Sequence, residues 1–456
     1  MRHNMDTMSK EHDRKLHIRT WGCQMNVYDS ARMADVLCRH GYSLTDNPAE
    51  ADLVILNTCN IREKASEKVF SELGRLRRHK IERTKAGLKQ IIAVAGCVAQ
   101  AEGGELLRRM PFVDLVLGTQ TYHRLPEMIA EVEAHARPVV STDFPVEDKF
   151  DALPEENRAA GPSAFLAIQE GCNNFCTYCV VPYTRGAEYA RPALQVLKEA
   201  KRLVASGTRE LTLLGQNVNA WRAEGTDGAE WPFSRLLSAL AEIPELERIR
   251  YMTSHPTSLT DDLIEIHAHE PKLMPFLHLP AQSGSDTILA AMNRGYARTQ
   301  YMEAILRLRE KNPDMALSSD FIVGFPGETD ADFEQTMALV RDIGYAQAYS
   351  FKFSPRPGTP AALMEGQLPE NIKDERLQAL QELITSHQAA FNAPFAGRII
   401  PVLLDGHGNQ PGQLHGRSPW MQAVHVEAPD SLFGNIVNVL VARAGRNSLT
   451  GTFVKG

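Results

Sequence analysis

Three cysteines within eight residues constrain this chain more than any other feature of its sequence. Cys172, Cys176 and Cys179 are separated by three residues and then by two. Thiolates at this spacing fit three corners of a [4Fe–4S] cluster and leave the fourth iron without a protein ligand. The alternatives are a chance grouping or a structural zinc site, which requires four ligands, and neither Cys nor His lies close by in sequence to complete one. An open iron can bind a substrate, so the pattern indicates chemistry.

This pattern resembles that of the radical S-adenosylmethionine (SAM) enzymes. The resemblance implies that the amino and carboxylate groups of SAM chelate the open iron. It also implies that one electron from the cluster cleaves SAM to methionine and a 5′-deoxyadenosyl radical.

The remaining cysteines and the N-terminus indicate a soluble cytoplasmic protein with reduced thiols. The 456 residues include seven cysteines, and an odd number is a poor disulfide framework. Residues Met1–Asp13 are polar and contain no apolar core of a secretory signal. The longest nearly apolar stretch, Ile91–Ala101, is too short to span a bilayer, so no membrane is expected.

The first section of the chain alternates short apolar runs with helical patterns, which predicts a parallel sheet covered by helices. Helices are expected at Asp29–His40 and Ala65–Lys80. The predicted strands are Leu16–Trp21, Asp52–Asn57, Ile91–Ala95 and Val113–Leu117.

Cysteines follow the first three of these strands, each by two residues: Cys23, Cys59 and Cys97. Equivalent ends of parallel strands lie at one edge of the sheet, where such folds bind ligands. We therefore expect a second three-cysteine cluster. The alternative is that each cysteine is a small buried hydrophobe, and we assign that role to Cys38, which lies inside a helical pattern.

The composition changes twice more along the chain. Residues 14–138 form the predicted N-terminal cluster domain, and Pro, Asp and Glu gather in a linker at 139–160. Six further strand–helix units predict a partial (β/α) barrel at 161–391, with its active face at the carboxyl ends of the strands. Short β-type runs at 392–456 predict a small β-barrel of the oligonucleotide-binding type. The barrel strands are expected at Ala164–Gln169, Glu210–Leu214, Arg248–Thr253, Phe276–Leu279, Ala316–Val323 and Ala348–Phe353.

The stretch Arg62–Lys89 carries ten Lys and Arg against four Glu, although the whole chain has a net charge of −7. One interpretation is a helix face that contacts phosphates. The other is an ordinary solvated helix surface.

Taken together, the two cysteine triads and the three-part layout resemble the methylthiotransferase family. The Gln-Met-Asn after Cys23 and the stretch Val180–Gly186 are similar to the branch that acts on N6-dimethylallyladenosine in tRNA. The matching stretches are Thr20–Asn26, Asn57–Cys59, Gly96–Cys97, Gly171–Gly186, Leu214–Asn219, His278–Ser285 and Asp320–Thr329. The sequence departs from the usual family pattern at a few positions, such as Trp21 in place of Tyr, but none of these positions is a cysteine.

The resemblance implies an N-terminal cluster domain, a radical SAM barrel and a C-terminal TRAM domain that binds RNA. It implies two [4Fe–4S] clusters, one on Cys23, Cys59 and Cys97 and the other on the triad of the barrel. Its substrate would be a tRNA whose adenosine just 3′ of the anticodon already carries the dimethylallyl group. The reaction would also need an electron donor and a sulfur donor or cluster-assembly protein, and the chain would act as a monomer.

Several residues are candidates for contact with SAM, but the sequence identifies no catalytic side chain. Tyr178 is placed to lie near the SAM adenine, although a structural aromatic is the alternative. Gly215, Gln216 and Gly324 lie at predicted strand ends, where the backbone could approach SAM closely or simply turn. Gln282, in the matching stretch His278–Ser285, completes this set.

Two other functions fit parts of this pattern. A sister methylthiotransferase would act on threonylcarbamoyl-adenosine in tRNA or on an aspartate of a ribosomal protein. A non-catalytic iron–sulfur protein would bind a cluster and RNA but would never cleave SAM.

Overall fold

The computed structural model describes residues 14–59, 63–145, 149–154, 161–408 and 410–455. Contacts between residues divide the chain into two compact units. The first comprises the residues up to 159 together with Tyr183–Arg185, and the second comprises the rest.

The first unit contains a six-stranded sheet in which every paired strand is parallel. Its strands lie in the order β2-β1-β3-β4-β5-β6. Every residue of the central strands β3 and β4 is buried, because helices cover both faces of such a sheet. The strands are β1 Arg14–Thr20, β2 Tyr42–Leu44, β3 Leu53–Thr58, β4 Ile91–Gly96, β5 Leu115–Leu117 and β6 Val139–Ser141.

The sequence predicts a linker from Val139 onward, whereas Val139–Ser141 pairs with β5 as the sixth strand. Three residues between polar neighbours are too short to show a strand pattern. The parts of the predicted linker at 146–148 and 155–160 lie outside the described residues. The helices of this unit are α1 Gln24–Cys38, α2 Glu63–Lys85, α3 Cys97–Glu102, α4 Gly104–Arg109, α5 Leu125–His135 and α6 Lys149–Ala152.

The second unit begins with the predicted partial barrel, and six parallel strands follow one another in chain order in two three-stranded ladders. A bridge between Ile249 and Leu273 joins the two ladders. The strands are β7 Ser163–Ala167, β10 Glu210–Leu214, β13 Arg248–Tyr251, β14 Phe276–His278, β15 Ala316–Val323 and β16 Gln347–Lys352. The short pairs beside them are β8 Gln169–Glu170 with β9 Tyr189–Ala190, and β11 Arg222–Glu224 with β12 Glu230–Pro232.

Amphipathic helices separate the barrel strands and bury one face against them; α8, for example, buries Val196, Ala200 and Leu203. The helices are α7 Val181–Arg185, of which Tyr183–Arg185 belong to the first unit, α8 Ala193–Ala205, α9 Phe233–Ala241, α10 Asp261–His269, α11 Asp286–Ala291, α12 Arg298–Lys311, α13 Asp330–Ile343 and α14 Glu370–Asn392.

A closed five-stranded β-barrel ends the chain, as the sequence predicts. Its alternating buried residues, such as Val424 and Val426, form a separate core. The strands predicted here from the sequence are Arg398–Leu404, Met421–Val426 and Ile436–Arg443. They leave out β18 and β21, because each has only one large, fully buried apolar residue, Leu414 and Leu449. The strands are β17 Ile399–His407, β18 Gln413–Arg417, β19 Ala423–Glu427, β20 Ile436–Ala444 and β21 Ser448–Phe453.

Two buried arginines on β13 attach this β-barrel to the parallel strands. Arg250 donates hydrogen bonds to the carbonyl oxygens of Ser418, at 2.7 Å, and Pro419, at 2.8 Å, and Arg248 donates to two further carbonyls. The Glu210 carboxylate lies 3.0 Å from Arg250 Nε and 3.8 Å from Arg248 Nη1, as an ion pair without hydrogen-bond alignment. Backbone oxygens and one carboxylate therefore compensate two buried charges.

We expect Arg250→Gln to destabilise this attachment by about 3–5 kcal/mol, since it breaks a buried ion pair and leaves two carbonyls without their donor. Urea denaturation followed by tryptophan fluorescence measures the effect. Arg443→Gln, on the exposed side of β20, is the matched control and should leave the transition in place. Equal midpoints for the two variants would contradict the structural role of Arg250.

No helix within the described ranges is both long enough and apolar enough to cross a membrane.

Candidate iron–sulfur and SAM site

The cysteine triad of the barrel lies in the loop that follows β7 and β8, past the carboxyl end of the first barrel strand. Cys176 is buried, and Cys172 and Cys179 are partly exposed. The Cys179 amide donates a hydrogen bond to the Cys176 carbonyl at 2.9 Å, and the Cys172 amide donates to the Gly186 carbonyl at 3.3 Å. These bonds fold the loop back on itself, and contact among the three thiols stays a prediction.

A turn at residues 291–294 holds the cysteine loop in place through hydrogen bonds. Asn293 has a positive φ of 57°. Its side-chain nitrogen Nδ2 donates hydrogen bonds to the carbonyl oxygens of Asn174 and Phe175, both at 3.1 Å. The Thr177 hydroxyl donates to the Ala291 carbonyl at 2.9 Å. Arg294, next in the turn, donates from Nη1 to Cys176 Sγ at 3.4 Å.

Desolvation raises the pKa of two thiols in this loop. It raises the pKa of Cys172, and it raises the pKa of Cys179 to about 12. Both thiols keep their protons in this environment, so a cluster that binds them must displace the protons.

The N-terminal triad lies at the carboxyl edge of the parallel sheet. Cys23 follows β1 by three residues, and Cys59 and Cys97 directly follow β3 and β4, so the expected spacing is off by one residue at each strand. The order β2-β1-β3 places a change of direction between β1 and β3, and doubly wound sheets bind ligands at that position. Cys38, by contrast, ends α1 and is partly exposed.

Cys23 interacts electrostatically with each of the other two thiols of this triad. The hydrogen bond from Cys59 lowers the pKa of Cys23 to about 6, against the effect of burial and with a further contribution from the charge of Arg185. Burial raises the pKa of Cys97, and the nearby charge of Cys23 raises it further. The pKa shifts of Cys23 and Cys97 therefore have opposite directions.

Two glycines allow the backbone to pass this closely. Gly22 has a φ of 121°, and a Cβ built on it would lie 2.2 Å from the Cβ of Cys59. Gly96 has a φ of 87°, and a Cβ there would lie 2.4 Å from Asn57 Oδ1. Any side chain at either position would push two of the cysteine-bearing loops apart.

Arg185 is a buried cation beside the N-terminal triad that the sequence analysis did not single out. Its guanidinium pairs with the Asp29 carboxylate at 2.7 Å and donates to Asn26 Oδ1 at 3.2 Å. Cys23 Sγ lies 3.6 Å from the same Asn26 oxygen. Arg185 stands in the family-like stretch Val180–Gly186, but its partner lies 156 residues away, so the sequence spacing gives no sign of the pair.

The predicted SAM contacts all follow the carboxyl ends of barrel strands. They differ in the neighbouring residues that they contact. Gly215 directly follows β10, and a Cβ there would lie 2.4 Å from Gln169 Oε1. The Gln216 side chain accepts a hydrogen bond from the Gly171 amide at 2.6 Å, which fixes the start of the cysteine loop. Gly324 has a φ of 70°, and a Cβ there would lie 2.2 Å from Lys373 Cγ. In each case the close neighbour is another part of the chain.

Gln282 and Tyr178 complete the predicted set. Gln282 has a φ of 72°, is buried and pairs with Phe321 in an isolated bridge beside β15. A non-glycine residue in this conformation stores strain, which is common at ligand sites. Tyr178 packs against an apolar cluster that includes Phe325 and Phe353. The contacts of Tyr178 fit the alternative that it is a structural aromatic residue. Contact of Gln282 or Tyr178 with SAM stays a prediction.

In the basic stretch Arg62–Lys89, some of the described Lys and Arg side chains form ion pairs and others do not. Lys80 and Arg83 are paired with Asp114 and Asp52, both at 2.5 Å. Among the described side chains, Lys68, Arg78, Lys85 and Lys89 are exposed and without an ion pair. The helix α2 rises about 34 Å over its 23 residues, so most of these charges lie far from the cysteine edge. Arg62 lies outside the described residues, and the phosphate-binding interpretation stays untested.

Among the described residues, no three His, Cys, Asp or Glu side chains are arranged to hold a single metal ion. The donor sets themselves are three thiols each, which suit an iron–sulfur cluster with one open iron.

Models of three known domains match the chain in order. Residues 15–118 match the uncharacterized protein family UPF0004, residues 166–340 match the radical SAM superfamily, and residues 395–454 match the TRAM domain.

Solved structures with a similar fold belong to the same superfamily. The radical SAM methyltransferase TsrM from Kitasatospora setae is 14% identical with a TM-score of 0.56, and the match covers 77% of this chain and 75% of that one. The cobalamin-dependent SAM radical enzyme OxsB is 12% identical with a TM-score of 0.53, and the match covers 84% of this chain but only 58% of that one. At these identities the likeness concerns the fold alone.

The barrel with its cysteine loop makes this chain a radical SAM protein. The UPF0004 and TRAM domains on either side of the barrel narrow that class, because this order is the hallmark of the methylthiotransferases. The chain belongs to that family, and its cofactors are SAM and [4Fe–4S] clusters.

Proposed function

We propose that this protein is a tRNA methylthiotransferase that adds a methylthio group to carbon two of N6-dimethylallyladenosine, next to the anticodon, using two SAM molecules and a sulfur donor. One observation carries the proposal: two cysteine triads, each at the carboxyl edge of its own parallel strands. Radical chemistry needs only one triad. The second favours thiolation over simple radical methylation.

At the barrel, Cys172, Cys176 and Cys179 would hold one cluster. When bound with SAM, this cluster supplies the carbon radical that the unactivated hydrogen on carbon two requires, and no acid–base side chain could replace it. The task of the chain is to bind SAM, orient the adenine and exclude water. The proposed SAM contacts are Gly215, Gln216, Gln282, Gly324 and Tyr178, because they follow the carboxyl ends of barrel strands, as the cysteine loop does.

At the N-terminal sheet, Cys23, Cys59 and Cys97 would hold the second cluster, which would supply the sulfur chemistry of the reaction. The buried guanidinium of Arg185, which contacts the same Asn26 oxygen as Cys23 Sγ, supports an anionic ligand set at this edge. Gly22 and Gly96 are proposed to keep the loops close enough for three ligands.

The TRAM domain is proposed to bind the tRNA, and the modified base would be turned out of its loop to reach the barrel, as single-stranded RNA recognition allows. The exposed Lys68, Arg78, Lys85 and Lys89 would contact phosphates. We place the protein in the cytoplasm as a monomer that receives electrons from a separate donor and sulfur from a donor or assembly protein.

A competition between tRNAs tests the substrate. Burying an apolar group contributes about 0.8 kcal/mol per CH2, so half of the five-carbon dimethylallyl tail is worth about 2 kcal/mol. We therefore expect a preference of roughly 30-fold in kcat/KM for dimethylallyl tRNA over the same tRNA without the tail. Nucleoside mass spectrometry after anaerobic turnover measures it.

The matched control is the same tRNA with a threonylcarbamoyl group, whose carboxylate would require an Arg or Lys partner. Preferential methylthiolation of that tRNA would overturn the named substrate and leave the radical mechanism intact. Equal use of the unmodified tRNA would show that the tail is not recognised.

A further inference from the structure

Arg294 is a buried guanidinium in direct contact with the cysteine triad of the barrel. Its side chain lies in the turn behind the cysteine loop, and the residue is only 6% exposed. Besides the bond to Cys176 Sγ, Nη2 donates to the Pro280 carbonyl at 2.9 Å and Nε donates to the Tyr296 hydroxyl at 3.2 Å. All three acceptors belong to the second unit, and each fixes one side of the guanidinium.

No carboxylate of the described residues lies within ion-pair distance of Arg294. The arginine of the N-terminal triad differs in this respect, since Arg185 pairs with Asp29 at 2.7 Å. A buried guanidinium without a counter-charge is costly. Among the acceptors of Arg294, Cys176 is the one that becomes an anion when it ligates iron, so the charge of Arg294 is balanced only when the triad is occupied.

We propose that Arg294 is a positioning residue that sets the reduction potential of the cluster in the barrel, by donating a hydrogen bond to its Cys176 ligand and by offsetting its negative charge. Hydrogen bonds to the sulfurs and nearby charge are the means by which proteins tune such clusters. The step concerned is the uptake of one electron by the oxidised cluster from a low-potential donor. No bond breaks, and Arg294 keeps its proton.

Tyr296 holds the guanidinium in this orientation. Its hydroxyl donates to the Ala281 carbonyl at 2.7 Å while it accepts from Arg294, and the guanidinium carbon lies 5.4 Å from the centre of the Tyr296 ring. Tyr296→Phe removes this support and keeps the charge. Arg294→Lys keeps the charge and loses the fork of donors.

The test rests on the proposed ligand set and uses the full-length chain with Cys23, Cys59 and Cys97 changed to Ala, so that only the barrel cluster remains. Anaerobic redox titration followed by electron paramagnetic resonance gives its midpoint potential, and iron analysis gives its occupancy. Arg294→Gln should shift the reduction equilibrium at least tenfold towards the oxidised form, which is about 59 mV for one electron. Arg294→Lys and Tyr296→Phe should give smaller shifts in the same direction.

Arg298→Gln is the matched control, because Arg298 lies four residues away and pairs with Asp342 instead. Its potential should equal that of the parent. An unchanged potential in Arg294→Gln with full iron would overturn the proposal. If that variant holds no iron, an unchanged potential in both Arg294→Lys and Tyr296→Phe would overturn it. A parent without iron would overturn the ligand set itself, and this proposal with it.

Discussion

Replacing Cys172, Cys176 and Cys179 with Ala should abolish the formation of 5′-deoxyadenosine and reduce the iron content from about eight to about four per chain. The effect is complete because the loop after β8 carries every proposed ligand of the barrel cluster, and the proposed SAM contacts belong to the barrel and not to the N-terminal sheet. Anaerobic reconstitution, iron analysis and chromatography of the SAM products measure both values.

Cys38→Ala is the matched control for this prediction. Cys38 is the one cysteine outside both triads, at the end of α1. Its replacement should leave about eight irons and full SAM cleavage. Full iron content in the triple variant would show that the barrel triad is not a ligand set.

Replacing Cys23, Cys59 and Cys97 with Ala should separate the two halves of the reaction. Reduced protein should still form 5′-deoxyadenosine, since the barrel cluster is untouched, and about four irons should remain. Methylthiolated tRNA should fall to background, because the site that carries the sulfur is gone. Anaerobic turnover with dimethylallyl tRNA, followed by nucleoside mass spectrometry, gives both readings.

The result for the variant without Cys23, Cys59 and Cys97 tests the sulfur-carrying role of the N-terminal triad. The wild-type chain separates the proposed function from a non-catalytic iron–sulfur protein. Methylthiolation that persists would remove the sulfur-carrying role from the N-terminal triad. A wild-type chain that binds two clusters and RNA but never cleaves SAM would instead be the non-catalytic iron–sulfur protein considered from the sequence.

The fold class was predictable because parallel strands buried on both faces leave continuous apolar runs, as in β3 and β4. The positions of the N-terminal cysteines followed from the same physics, since equivalent strand ends must share an edge. The short strands β2, β6, β18 and β21 were missed, because three to six residues with few large apolar side chains carry little periodicity.

The surroundings of the two triads could not be predicted in the same way. Arg294 lies 118 residues after Cys176, and Arg185 lies 156 residues after Asp29, so neither contact leaves a local pattern. Gln216, whose backbone was expected to approach SAM, accepts a hydrogen bond from the Gly171 backbone amide through its side chain, and only the folded barrel brings these residues together. Long-range polar contacts of this kind depend on packing that the sequence does not display.

The pair between Asp29 and Arg185 has a consequence for synthesis on the ribosome. The sheet of the first unit is complete by Ser141, yet the cation that pairs with its buried Asp29 is translated 156 residues after that aspartate. At about 5–20 residues per second, this delay lasts roughly 8 to 30 s. Until then the nascent sheet lacks a contact worth about 3–5 kcal/mol. A fragment that stops at residue 159 would never acquire this contact. In the full chain, the cysteine edge of the first unit should therefore mature only after Arg185 has been made.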